Sequence, residues 1–131
     1  VGRRGGRSAD PARRELFLTD ARRWLDSRTP PPPGELRAAV EAALEQERGE
    51  STGAGSDPGA NAALVASLTS AAGARLASAL GRPGRARESA YDLLAADALA
   101  TYAAEAALET EEPGAALVRL ARRLLDAGEA P

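Results

Sequence analysis

Apolar and polar positions along this chain recur with the period of an α-helix, in segments that prolines and glycines separate. The longest run lacking both residues includes ARESAYDLLAADALATYAAEAALE, residues 86–109. At about 100° per residue, one stripe of this segment holds Tyr91, Leu94, Ala98, Tyr102 and Glu105. Leucines and alanines make the other faces apolar too, which is typical of a central helix. We therefore expect helix four, about residues 86–110, to be central.

The same period predicts four further helices, each bounded by proline or glycine. They cover about residues 10–27, 33–48, 58–80 and 113–128. Two of them begin with aspartate followed by proline, a good N-cap with proline at the first helical position. The apolar residues are mostly alanine and leucine, with no isoleucine, and this composition favours helices over strands. The predicted fold class is all-α, with about five helices in a compact bundle.

A chain of 131 residues, 44% of them hydrophobic, is long enough for one compact domain. We expect residues 1–9 to be a disordered basic tail and residues 49–57 a flexible glycine- and serine-rich linker. Residues 10–48 then form a helical hairpin. This hairpin packs with a three-helix core, residues 58–128, as one domain.

Several kinds of chemistry are excluded by residues that the sequence lacks. There is no cysteine or histidine, and all 17 basic residues are arginines. A disulfide framework, a thiolate nucleophile, a Cys/His zinc site and a Ser-His-Asp triad are therefore impossible. We expect no cofactor and no catalytic residue. An enzymatic role for this chain alone is improbable.

Charge and hydropathy set expectations about location and partners. The net charge of -2 gives no signature of a protein that binds nucleic acid. No signal-peptide pattern and no uninterrupted apolar run of about 20 residues is present, so we expect a cytoplasmic protein without a membrane span.

Acidic side chains of helix four are the only candidates for unusual chemistry. A carboxylate buried on an apolar helix must be paired, protonated or bound to a metal. Among Asp92, Asp97, Glu105 and Glu109, the candidate buried acids are Asp97 and Glu105. They are about 12 Å apart along the axis, too far for both to bind one ion directly. Pairing with arginines is therefore preferred to a metal site, and the expected metal set is none.

The segment LLAADALATYAAEAALE, residues 93–109, is similar to a helix that reads L-A-G-D-A-L-L and then A-F-E in the family of trans-isoprenyl diphosphate synthases. A helix, a proline-rich turn and GELRAAVEAALE resemble the start of those enzymes. The resemblance implies a degenerate, truncated or small-subunit-like relative acting in isoprenoid metabolism. No two aspartates are adjacent here, so the family's aspartate-rich magnesium motifs are missing.

The preferred interpretation is a non-catalytic helical interaction or scaffold module that self-associates or docks on a larger partner. Two aromatic faces are the candidate interface or core, one carrying Phe17 and Trp24, the other Tyr91 and Tyr102 with Leu94 and Ala98. A thin core of alanine and leucine leaves little stability for an isolated monomer. We therefore expect a homo-oligomer or a protein partner, most simply a two-fold dimer through helices three and four.

Overall fold

The computed structural model describes residues 11–47, 60–82 and 86–129. Within these residues the chain forms five α-helices and no strand. The helices are α1 (Pro11–Asp26), α2 (Gly34–Glu47), α3 (Ala60–Leu80), α4 (Ala86–Ala107) and α5 (Pro113–Glu129). The predicted all-α bundle is confirmed. The predicted tail and linker lie outside the described residues, and the division into hairpin and core stays a prediction.

Proline and hydroxyl side chains fix the helix ends that the structure describes. The four prolines after α1 stop that helix, and the carbonyl of Pro33 accepts the first hydrogen bond of α2, from the Arg37 amide at 2.8 Å. At the end of α4, the Thr110 hydroxyl donates to the Ala107 carbonyl at 2.7 Å. Pro113 then occupies the first position of α5, where its missing amide costs nothing.

Helix α4 lies centrally, as its apolar sequence predicts. It packs along α3 and also contacts α2 and α5. The core between the helices consists of leucines, valines and many alanines. Its buried members are Leu18, Ala21, Leu25, Val40, Ala43, Leu44, Leu64, Val65, Leu68, Ala71, Ala72, Leu99, Ala103, Ala106, Ala107, Ala116 and Leu120.

Small side chains dominate the buried side of α4. Ala96, Ala103, Ala106 and Ala107 are each nearly or fully buried. Alanine adds almost no bulk between two helix axes, so α3 and α4 can pack closely along their length. Beside these alanines, the largest fully buried side chains on the two helices are Leu68 of α3 and Leu99 of α4.

Gly73 is a position in α3 where a larger residue should stabilise the fold. A Cβ there would lie 3.6 Å from Ala127 Cβ and 4.0 Å from Arg123 Cζ, which are ordinary contact distances. Alanine in a helix interior is about 1 kcal/mol better than glycine. We expect Gly73→Ala to raise the free energy of unfolding by about 0.5–1 kcal/mol in chemical denaturation. A loss of stability would show that α5 cannot accommodate this methyl group.

Ion pairs join α1 to α2. Glu41 accepts hydrogen bonds from Arg37 Nε at 2.7 Å and from Arg22 Nε at 3.2 Å. Arg37 also pairs with Asp26 at the end of α1. The hydrogen bond from Arg37 is the main cause that holds the pKa of Glu41 below its ordinary value. These contacts fix the angle between α1 and α2 without adding to the apolar core.

The stretch Asn61–Leu80 of α3 is long and apolar enough to cross a membrane by length and composition, with a mean hydropathy of 1.3. The sequence predicts no membrane span, because it has no uninterrupted apolar run of the required length. Gly73, three serines and one threonine interrupt this stretch, yet its mean hydropathy stays high enough for a span. Half of the stretch is buried inside the protein. The core helix of a soluble protein has the same properties, so this feature carries no argument for a membrane.

Candidate functional site

Helix α4 has two opposed sides with different chemistry. The side packed into the protein carries Ala96, Leu99 and Ala103, all nearly or fully buried. On the opposite side, Tyr91 is 67% exposed and Leu94 is 64% exposed. Of the face predicted as a candidate interface or core, Tyr91 and Leu94 therefore lie outside the core. Close packing on α3 selects the alanine-rich side, which leaves the larger side chains outside.

We call the exposed side the outer face of α4. It consists of Arg87, Ala90, Tyr91, Leu94, Asp97 and Ala98, and exposed Leu93 borders it. The α1–α2 pair does not cover this part of α4, because its described side-chain contacts with α4 are at the other end, at Tyr102, Glu105 and Glu109. Ala98, one of the predicted interface residues, is half-buried at the edge of the covered region.

Charges of opposite sign flank the apolar centre of the outer face. Arg87 lies near the N-terminal end and Asp97 lies ten residues further along the helix. Neither side chain forms an ion pair with another described residue. The expectation that Asp97 is a buried acid is wrong. Its position in the helix turns it away from α3 and into solvent, where a carboxylate needs no partner.

A second cluster lies where the end of α1 meets the end of α4. The rings of Trp24 and Tyr102 form an edge-to-face contact with centroids 6.1 Å apart, and the Arg28 guanidinium stacks 4.0 Å from the centroid of the Trp24 ring. Trp24 Nε1 donates to Glu109 Oε1 at 2.8 Å. The cluster therefore joins segments more than 80 residues apart in sequence with both aromatic and polar contacts.

Arg28 forms ion pairs with both carboxylates of this cluster. Its guanidinium nitrogens lie 3.5 Å from Glu105 and 3.3 Å from Glu109. Glu105 is thus a half-exposed, paired carboxylate, and the expectation that it is buried is only partly met. Burial raises the pKa of Tyr102, and the negative charge of Glu105 adds to that shift, while Arg28 opposes it.

A shallow groove of about 270 Å³ lies beside this cluster, between α1 and the start of α3. Its walls are Phe17, Asp20, Ala21, Arg23, Trp24, Ser27, Asn61 and Leu64. Phe17 and Trp24 are both half-buried and pack against the core. The predicted Phe17/Trp24 face therefore packs partly against the core of the same chain. The contacts of Trp24 with Tyr102, Arg28 and Glu109 hold α1 in place.

The buried acid of α4 is Asp92, which the sequence analysis did not select as a candidate buried acid. It is 7% exposed and accepts a hydrogen bond from the Ser78 hydroxyl at 2.9 Å. Arg75 and Arg82 lie 3.6 Å and 3.4 Å from its two carboxylate oxygens. Asp92 is four residues before Ala96 and seven before Leu99, so the register of the alanine-rich stripe could have indicated its burial.

The acidic side chains of these clusters are paired within the described part of the protein. Within the described residues no three acidic side chains lie close enough together to hold a metal ion. The carboxylates of Asp92, Glu105 and Glu109 are all engaged by arginines or by Trp24. What the described surface does offer is an exposed apolar helix face with charged ends.

Comparison of the chain with protein-family models, curated proteins and solved structures found no match. The resemblance to isoprenyl diphosphate synthases therefore stays a prediction.

Proposed function

We propose that this chain is a non-catalytic helical interaction module that self-associates through the outer face of α4. The observation that supports the proposal is the exposure of Tyr91 and Leu94 next to each other on one face of the central helix. Large apolar side chains that are adjacent on a surface usually mark a contact with another molecule. A single exposed leucine, such as Leu16 on α1, is normal on a protein surface and does not indicate an interface.

A second copy of the chain is the partner that fits the charges of this face. In an antiparallel pair of α4 helices centred at the level of residue 92, Arg87 of one copy lies opposite Asp97 of the other. The same pairing occurs twice because a two-fold axis relates the copies. Tyr91 and Leu94 then fill the centre, and the small side chains of Ala90 and Ala98 permit a close approach of the two helices.

The dimer proposed here is narrower than the predicted one through helices three and four. Ala71 of α3 is 2% exposed and belongs to the core of the same chain. Helix α3 uses that side to pack within the bundle. The dimer proposed here therefore involves α4 alone as its central element.

Analytical ultracentrifugation of Leu94→Glu tests this surface. The unsubstituted chain is expected to sediment at micromolar concentration as a species of twice 13.4 kDa. Leu94→Glu places a charge in the centre of the interface and should weaken association by about tenfold or more. The matched control is Leu16→Glu, because Leu16 on α1 has the same exposed fraction of 64%. This control should leave association unchanged.

Two outcomes would contradict the proposal. One is a clean 13.4 kDa species for the unsubstituted chain with a melting temperature independent of concentration. The other is equal weakening by Leu16→Glu and Leu94→Glu. A charge exchange tests the antiparallel register: Arg87→Glu should weaken the dimer, and Arg87→Glu with Asp97→Arg should restore it.

A further inference from the structure

A groove between α3 and α5 has features that neither the fold nor the proposed dimer uses. Its volume is about 270 Å³. Its walls are Val65, Ala66, Thr69, Ser70, Ala116, Arg119, Leu120 and Arg123. The groove thus combines an apolar floor with two arginines and two hydroxyl-bearing residues. It lies on the α5 side of the bundle and includes no residue of the outer face of α4.

Both arginines of the groove are exposed. Arg119 and Arg123 are four residues apart on α5, so their side chains lie on one side of the helix. Neither forms an ion pair with a described residue. By contrast, carboxylates of the protein pair with Arg22, Arg23, Arg28, Arg37, Arg75 and Arg82. The groove therefore carries positive charge that the described part of the chain does not neutralise.

Thr69 supplies an unused polar group in the same groove. It is 8% exposed, and its Oγ1 has no hydrogen-bond partner among the described residues. The hydroxyl of Thr101, also within a helix, donates to the backbone carbonyl one turn earlier, at 2.8 Å. A buried hydroxyl without a partner is destabilising, so a bound group that pairs with Thr69 would remove that cost.

We infer that this groove binds a small organic anion with a short apolar tail. The carboxylate or phosphate group pairs with Arg119 and Arg123, for which the planar guanidinium is the preferred donor. Thr69 offers the anion a further hydrogen bond, and the tail lies on Val65, Ala116 and Leu120. A volume near the lower limit of ligand pockets restricts the tail to one unbranched alkyl chain.

Titration of the full chain with octanoate and with octyl phosphate tests the inference and distinguishes the two head groups. Amide chemical shifts of the ¹⁵N-labelled chain should change at residues 65–70 and 116–123 with at least one of these anions. 1-Octanol, which has the same tail without the charge, is the reference ligand. It should bind at least about tenfold more weakly, since each tenfold change corresponds to about 1.4 kcal/mol.

Arginine variants of α5 show whether the groove itself recognises the charge. Arg119→Gln and Arg123→Gln should each weaken anion binding by about tenfold. The matched control is Arg122→Gln, which makes the same change in net charge at an exposed arginine outside the groove. Its affinity should equal that of the unsubstituted chain. Thr69→Val, which keeps the side-chain shape, should weaken binding by a few-fold.

The inference is overturned if neither anion shifts the groove amides at millimolar concentration, or if 1-octanol binds as tightly as the anions. It is also overturned if Arg122→Gln weakens binding as much as Arg119→Gln does, because the effect is then one of net charge. These results do not depend on the oligomeric state. The outer face of α4 can therefore fail its own test while the groove passes this one.

Discussion

Replacement of Leu99 by alanine is expected to lower the free energy of unfolding by about 2–5 kcal/mol. Leu99 is fully buried on the packed side of α4, in the contact that holds the bundle together. Alanines are frequent in the core, and their methyl groups have no rotamers with which to fill the space. Urea denaturation followed by circular dichroism measures this loss.

The control for this prediction is Leu94→Ala, the same chemical change five residues earlier on the same helix. Because Leu94 is 64% exposed, its truncation should change the stability of the monomer by no more than about 0.5 kcal/mol. The two variants are compared at a protein concentration low enough to dissociate the proposed dimer, since association would add to the apparent stability. Equal losses for the two variants would show that α4 is rotated from the orientation described above.

Asp92→Ala should have the second large effect, lowering the free energy of unfolding by about 1.5–3 kcal/mol. The side chain of Asp92 is 10% exposed and engages Arg75, Arg82 and the Ser78 hydroxyl together. Its removal leaves the two guanidinium groups without their carboxylate and the hydroxyl without its acceptor. Both arginines are partly solvated, which keeps the expected loss below that for a fully buried pair.

Asp97→Ala is the matched control, since it removes an exposed carboxylate from the same helix. We expect a change within about 0.5 kcal/mol for the monomer. A double-mutant cycle with Ser78→Ala then isolates the hydrogen bond between Ser78 and Asp92. If Asp92→Ala and Asp97→Ala prove equally stable, the Asp92 cluster makes no net contribution to the fold.

Helix number and helix boundaries could be predicted from the sequence because their signals are local. Pro11 and Pro113 begin helices at the first position, and the four prolines after α1 stop that helix without help from distant residues. All five predicted helices are present in the described residues, and their ends differ from the prediction by only a few residues. Each such boundary depends on a residue within one turn of it.

The orientation of α4 could not be predicted, because its sequence is apolar on almost every side. The stripe through Tyr91 and Leu94 contains large apolar residues, so the sequence makes it a candidate interface or core. The structure instead buries alanines, since many close contacts between α3 and α4 stabilise more than a few leucines held further apart. Periodicity reports where apolar residues are, but it does not report how closely two helix axes approach.

The polar clusters depend on tertiary contacts and were beyond local patterns for that reason. Asp92 is paired through α3 and the turn after it, and Glu105 and Glu109 are paired through Arg28, about 80 residues earlier. The sequence could indicate only that acids on this helix require partners. Which arginine would meet which acid depends on how the helices pack.

Trp24 makes the α1–α4 junction observable in solution. It is the only tryptophan of the chain, so fluorescence of the whole protein reports on this one indole. Its ring contacts both the Arg28 guanidinium and the Tyr102 ring, and its nitrogen donates to Glu109. Separation of α1 from α4 would transfer the indole to water and shift its emission to longer wavelength. Trp24 fluorescence therefore reports opening of this junction, whereas circular dichroism reports melting of the helices. Comparison of the two signals distinguishes the two events.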